Sequence, residues 1–520
     1  MKKEILIFLF TIFCAAILVL SIRGISGNPN VEEFSKLNWR GEGPLELSPE
    51  RSKFALLYSI VEDNSFHFSV PLARFIAPDV GFLNGKYVSL FPPGVSFFAI
   101  PGYLLGKMAG AAQVGAFATT AFFAILNVLL IRALAIRLGA NQIAAIIAAL
   151  VFLFATPAFS YSVTLYQHHF TVFFLLASIY TLLRWNNLAS LALVWLFATT
   201  SFIFDYPNAL LVLPIAIFAL GRIVLFKNGD KGLSLKIKIA GLATFMTIIF
   251  PLAFLFWYNQ AAYGNPLRLS QTVTGVRVID ESGNPVKPDG QTPIEPRDKN
   301  LVGFFNTRNL LNGATVHFSS LGRGIVVYAP VILFGILGFF SLYRKNPKAT
   351  ALLLSIIGVN FLLYSMWGDP YGGWAFGSRY LIPSYAILAI FASITLTKTV
   401  SKKALLSLIF FLLLSYSVAV NTLGALTTNS IPPKVEAVAL EKISGIKEHY
   451  TYLRNWEYLM ANKSKSFVYQ TFAKDYLTAL EYYYLIAGSI ILVMGGQITY
   501  MYLKARKDPP SHEATKGKGK

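Results

Sequence analysis

Twelve apolar runs, each long enough to cross a bilayer, dominate the chain. They lie near residues 5–22, 113–131, 141–158, 168–184, 189–204, 208–225, 239–257, 323–342, 349–366, 380–397, 404–421 and 483–503. Roughly 17–25 apolar residues let a helix span the hydrocarbon layer, where a backbone has to satisfy its own hydrogen bonds. The expected fold is an all-α integral membrane protein of about twelve transmembrane helices. With 55% hydrophobic and 13% charged residues, the chain fits neither a soluble globular protein nor a disordered one. The single Cys14 excludes a disulfide framework. Lys2 and Lys3 precede the first run, whose apolar stretch exceeds the usual signal-peptide core. That run reads as an uncleaved anchor with a cytoplasmic N-terminus, and twelve crossings return the C-terminus to the same side.

A net charge of +20 first suggests an anionic partner. Sorted by side, 22 of the 45 basic residues but only 4 of the 25 acids fall on the inner face, leaving +18 there and +2 outside. The excess therefore reports how the chain is threaded, as the positive-inside rule requires, and no nucleic-acid partner is implied.

Inner connections are short and basic, whereas three outer segments are long: 23–112, 258–322 and 423–482. Long loops carry function more often than short ones, so the active or binding site is expected on the extracytoplasmic face. The expected organisation is a membrane module over 1–422 that includes the outer loops 23–112 and 258–322. An outer loop over 423–482, a last helix over 483–503 and a disordered basic tail over 504–520 complete it. Val278 to Asn300 reads as a mobile segment or a turn-rich hairpin able to close over a bound molecule. The third loop has aromatic, mixed-charge helical stretches such as Glu448 to Trp456, suited to shaping one side of a site.

Within the first loop, Ser48 is placed to cap a helix that Pro49 opens. Phe54, Leu57, Tyr58 and Val61 form an apolar stripe, the mark of an amphipathic helix at the membrane surface. Glu50 shares the azimuth of Phe54, Leu57 and Val61, so it points toward the bundle or simply complements the helix dipole. Asn84-Gly85 between two apolar-rich runs signals a hairpin, with Asp79 near its base and Lys86 near its turn. Pro92-Pro93-Gly94 then turns the chain into a second juxtamembrane helix near 95–108.

Three stretches together resemble the C-type glycosyltransferases, closest to the family 39-like group that includes protein O-mannosyltransferases and lipid A aminoarabinose transferases. They are Glu50-Arg51-Ser52-Lys53-Phe54-Ala55, the segment Asp79…Asn84-Gly85-Lys86-Tyr87…Phe91-Pro92-Pro93-Gly94, and Trp367-Gly368-Asp369-Pro370-Tyr371-Gly372-Gly373-Trp374-Ala375-Phe376-Gly377-Ser378-Arg379-Tyr380. The resemblance implies a GT-C fold whose long first outer loop bears juxtamembrane helices. It also implies a polyprenyl-phosphate-linked sugar as donor and an acidic residue of that loop at the catalytic centre. The family's acid is usually Asp, often in an Asp-Glu pair, whereas here Glu50 is followed by Arg51. Glu50 and Asp79 are both retained as candidate base.

Transfer from a lipid phosphate to a hydroxyl asks for a base at the acceptor and cations at the leaving phosphate. Arg379, flanked by Gly372-Gly373 and Gly377, is the first candidate for the phosphate, followed by Arg323 and Lys86. Each has an alternative reading as an interfacial residue reaching lipid headgroups. Trp367, Tyr371 and Trp374 are placed to stack on a sugar or to belong to an aromatic belt. His168, His169, Asp205 and Asp369 complete the candidates, Asp369 as a second carboxylate for a divalent cation; metal dependence stays open. The expected activity is an inverting transfer of a hexosyl or pentosyl group to a lipid, glycan or protein acceptor at the cell or inner membrane. The alternative is a transporter or flippase for a lipid-linked sugar or other solute, which would favour ionisable residues at mid-membrane and matching halves.

Overall fold

The computed structural model describes residues 3–229, 232–289, 292 and 300–507. Among the described residues, seven helices are long and apolar enough to cross a membrane: Glu4–Ser21, Ala112–Arg137, Ile239–Tyr263, Pro347–Ser365, Arg379–Lys402, Ala404–Leu426 and Ala479–Lys507. Four shorter apolar helices, Gln142–Phe154, Leu188–Ile203, Asn208–Leu220 and Pro330–Tyr343, and the helix His168–Arg184 account for the other five runs. The chain is thus a helical, multi-pass membrane protein, but three of its runs are cut short. Prolines explain two of the differences. The third run breaks ahead of Pro157, and the eighth breaks between Tyr328 and Pro330, because proline removes an amide donor and clashes with the preceding turn. The sixth run gives way at Val224 to a hairpin, Val224–Gly229 with Gly232–Ile237.

Contacts between helix ends sort the loops into two poles. At one, Arg137 donates to the Leu183 carbonyl, Arg222 to that of Trp185 and Lys398 to that of Ser341. All belong to connections expected inside. At the other pole the three long loops meet. The first supplies the helices Ser48–Glu62, Val70–Ile76 and Gly94–Met108 and the hairpin Val80–Leu83 with Lys86–Ser89. That hairpin turns on Asn84 and Gly85, both at positive φ (50° and 76°), as its two-residue turn demands. Gly275–Val276 of the second loop adds a third strand against Val80 and Gly81, joining the two loops.

Two expectations change here. The helix Ser48–Glu62 is covered on its outer side too: Ser52 to Ser59 are buried without interruption beneath the rest of the first loop. In the third loop the helix begins only at Leu453, so Glu448 to Tyr452 are not helical. The 278–300 segment starts with a two-residue-per-strand hairpin, Val278–Ile279 with Pro285–Val286. Residues 290, 291 and 293–299 and the tail from 508 lie outside the described residues.

The helix Gly94–Met108 packs hard on Ala112–Arg137 through small residues. A Cβ on Gly115 would sit 2.1 Å from the Gly102 carbonyl oxygen and 2.7 Å from the Gly106 Cα, so only glycine allows this approach. That contact fixes the loop carrying Glu50, Lys53 and Asp79 to the membrane bundle.

Candidate functional site

A cavity of about 640 Å³ opens where the three outer loops converge on the helix ends. Its wall brings together Lys53, Asp79, Asp205, Asp369 and Arg379, with Trp367 and Trp374 at one side.

Asp79 stands at the base of the hairpin, half-buried, and its Oδ2 accepts a hydrogen bond of 2.5 Å from the Ser48 hydroxyl. Ser48 therefore orients a carboxylate and does not cap the helix, whose cap position is Leu47. Asp79 also lines an adjoining hollow of about 400 Å³, so its carboxylate is accessible from two sides.

Arg379 enters from the start of its helix. One nitrogen donates to the Gly372 carbonyl at 2.8 Å, while Nε and Nη1 are buried with no hydrogen-bond partner of good geometry among the described residues. Tyr166 and Tyr380 flank the guanidinium, their ring centroids 5.3 and 5.6 Å away. Gly372, at φ 72°, makes this possible: a Cβ there would meet the Tyr380 ring at 3.1 Å and the Arg379 Nε at 3.3 Å.

Lys53 lies opposite, 2% exposed, with Nζ 4.2 Å from the Phe91 ring centroid and 5.2 Å from that of Tyr166. Its single hydrogen bond goes to the Pro49 carbonyl, 3.1 Å away. Burial, reinforced by the Arg379 charge, pushes the ammonium pKa down to about 7. Asp205 accepts from Gln167 at 3.3 Å, and burial pushes its carboxyl up to about 6.

Glu50 does point inward, but it is not on the cavity wall. It is fully buried, and neither carboxyl oxygen has a hydrogen-bond partner. Burial, then the neighbouring Glu46, pushes its pKa up to about 8, so it carries a proton at neutral pH. Glu46, four residues earlier and ahead of the helix, is the opposite case. Arg23 (3.0 Å), Lys465 (2.6 Å), the Thr428 hydroxyl (2.8 Å) and the Asn429 amide all bond to it. Burial opposes ionisation there, yet Lys465 and Arg23 outweigh it and hold the carboxyl below its usual value.

The other candidates are placed differently. Arg323 is buried and gives its guanidinium to the carbonyls of Tyr371, Gly322, Gly373 and Ile431, so it clamps loops and has no free fork for phosphate. Lys86 is exposed at the hairpin turn, away from the cavity, because the two-residue turn carries it outward. His169 bonds the Ala158 carbonyl at 2.8 Å and Asn127 at 3.3 Å, a core role. His168 stacks behind Tyr166 (5.8 Å between centroids, 9° between planes), off the cavity wall. Asp369 spends its oxygens on the amides of Tyr371 (3.0 Å) and Gly373 (2.5 Å), shaping the turn ahead of Arg379. Among the described residues no three His, Cys, Asp or Glu side chains gather as a metal site. Trp367 stacks on Phe304 (5.7 Å, 17°), and the Trp374 indole donates to Glu436 at 2.5 Å, which ties the third loop to the cavity rim.

Lys53 and Glu46 were not singled out in the sequence. For Lys53 a signal existed: three residues beyond Glu50 it falls about 60° away on the helical wheel, on the same inward face. For Glu46 there was none, since Lys465 lies 419 residues away.

No family model and no curated protein matches the chain. Among solved structures, it is similar to ArnT from Cupriavidus metallidurans in the apo state, at 11% identity over 96% of this chain and 78% of that one, with a TM-score of 0.44. The same protein bound to undecaprenyl phosphate gives 11% identity over 98% and 80%, with a TM-score of 0.47. The Archaeoglobus fulgidus oligosaccharyltransferase in complex with Zn and sulfate gives 12% over 90% of this chain and 58% of that one, with a TM-score of 0.42.

Proposed function

We propose that the chain is a glycosyltransferase of the C type that moves a sugar from a polyprenyl-phosphate carrier to a hydroxyl-bearing acceptor. One observation carries this reading. Two cations with unused hydrogen-bonding capacity, buried Lys53 and half-buried Arg379, share a cavity with a carboxylate that is held at one oxygen and accessible from two sides.

Arg379 offers its guanidinium to the phosphate of the donor, and Lys53 adds a second charge. Both lie where burial strengthens their attraction for an anion. Asp79 takes the proton of the acceptor hydroxyl as its oxygen attacks the anomeric carbon. The bond from that carbon to the phosphate oxygen breaks, and the electron pair leaves with the phosphate, which needs no proton to depart. A single displacement inverts the anomeric centre. Trp367 and Trp374 supply apolar faces to the sugar. A transporter reading has less support, because these charged groups sit in loops and at helix ends of one pole, not at mid-membrane.

The test is release of polyprenyl phosphate by the purified protein from a panel of polyprenyl-phosphate sugars in the presence of acceptor alcohols. Full turnover by Asp79→Asn would sink the assignment of the base, and a product with retained configuration would sink the single displacement.

A further inference from the structure

A second cavity, of about 610 Å³, lies at the opposite, basic pole of the molecule, away from the proposed active site. It opens between three helix ends: the start of Gln142–Phe154, the end of Arg379–Lys402 and the end of Ala479–Lys507. Ala140, Ser401 and Met501 form a buried floor, and Lys402 and Lys504 stand exposed at the rim. Neither lysine has an ion-pair partner among the described residues, and no acidic side chain among them lines the hollow.

The lip is also built for negative charge. Asn141 caps the helix by accepting from the Ala144 amide at 2.8 Å, and its own amide donates to Thr397 at 3.0 Å. The amides of Gln142 and Ile143, in the first turn, are the ones left over. Arg132, 7% exposed, donates to the side-chain oxygen of Gln142 and places a third positive charge behind the lip.

We propose that this hollow binds the anionic headgroup of a membrane phospholipid. Two of its three walls are helices long and apolar enough to cross a membrane, so their ends bring the hollow to headgroup depth. Two unpaired lysines and free helix-start amides fit a phosphate, and Ala140 and Met501 of the floor fit the glycerol and upper acyl segments of the same lipid.

The full-length purified protein, titrated with phosphatidylglycerol or phosphatidylcholine and read by native mass spectrometry, tests this. Phosphatidylglycerol is expected to bind at least about tenfold tighter than phosphatidylcholine, and each of Lys402→Ala and Lys504→Ala to weaken it about fivefold. The control pair Lys345→Ala and Lys348→Ala, exposed at the same pole, is expected to stay within about twofold. Ala505→Trp fills the hollow while keeping both lysines and is expected to weaken binding as well. Equal affinity for the two lipids, equal losses in the two lysine pairs, or an unaffected Ala505→Trp would overturn the proposal. Displacement of the lipid by millimolar inorganic phosphate would overturn the assignment to a lipid.

Discussion

Two sets of charge flank the start of the helix Ser48–Glu62, and the fold treats them in opposite ways. Glu46 is met by two cations, a hydroxyl and an amide, each from a different part of the chain. Lys53 and Arg379 have one backbone carbonyl apiece and otherwise face a cavity. Burying charge is costly unless partners replace water, so the first set is closed and structural. It fastens the first membrane helix, the first loop and the third loop together. The second set is left open to the cavity, where the proposed function places the donor phosphate.

Substitution at the cavity gives the sharpest break in that contrast. Asp79→Asn is expected to lower turnover by about 10²–10⁴-fold while leaving the thermal midpoint of the purified protein in place. Arg23→Ala acts on the closed set and is expected to cost about 3–5 kcal/mol of stability, because it strands Glu46 beside a single lysine. Thermal unfolding measures it, and an unchanged midpoint would mean that the cluster is not what holds the loops. Arg379→Lys keeps the charge but loses the fork, with an expected fall in turnover of about 10–100-fold and little change in stability.

Lys53 gives a smaller and pH-dependent effect. Its pKa of about 7 in the folded protein lies below that of an ordinary lysine. Between those two values the unfolded chain binds the proton and the native protein does not, so this group makes stability rise with pH across that window. An anionic donor favours the protonated form, so donor affinity is expected to fall above pH 7, by up to about tenfold per pH unit. Isothermal titration across pH 6–9 tests this, and Lys53→Met is expected to flatten the profile.

The contrast also explains what could be read in advance. Runs of apolar residues, Asn84-Gly85 and the inward azimuth of Glu50 are local patterns, and the structure keeps the hairpin, the azimuth and all but three of the runs at their expected length. Whether a charge is closed or open is not local. Arg323 looked available beside two glycines, yet its carbonyl partners include Ile431, 108 residues on. Ser48 looked like a cap, yet its hydroxyl went to Asp79, 31 residues away. Lys86 looked close to Asp79 in sequence, but the hairpin geometry points it to solvent. Pairings across such separations leave no spacing to detect, so candidates chosen by residue type mixed clamps with site residues.

Glu50 is the smallest and most discriminating case, because it is fully buried and unpartnered like an open charge but lies off the cavity wall. Carrying a proton up to about pH 8, it is already neutral at physiological pH. Glu50→Gln then exchanges one neutral group for another of the same shape, and turnover at pH 7 is expected to stay within about twofold. The difference should appear in stability at higher pH. A folded-state pKa raised above the unfolded one makes the native protein hold its proton longer, so this contribution is full below about pH 4.5 and is lost as pH rises through about 8. The glutamine variant lacks that decline, and thermal unfolding at pH 5 and pH 8 would show wild type losing ground to it by up to about 1.4 kcal/mol per pH unit. Lys53 and Asp205 titrate in both proteins, so their slopes cancel in the difference. If Glu50→Gln abolished turnover while Asp79→Asn kept it, the base would be Glu50, and the cavity wall would have to rearrange on binding to admit it.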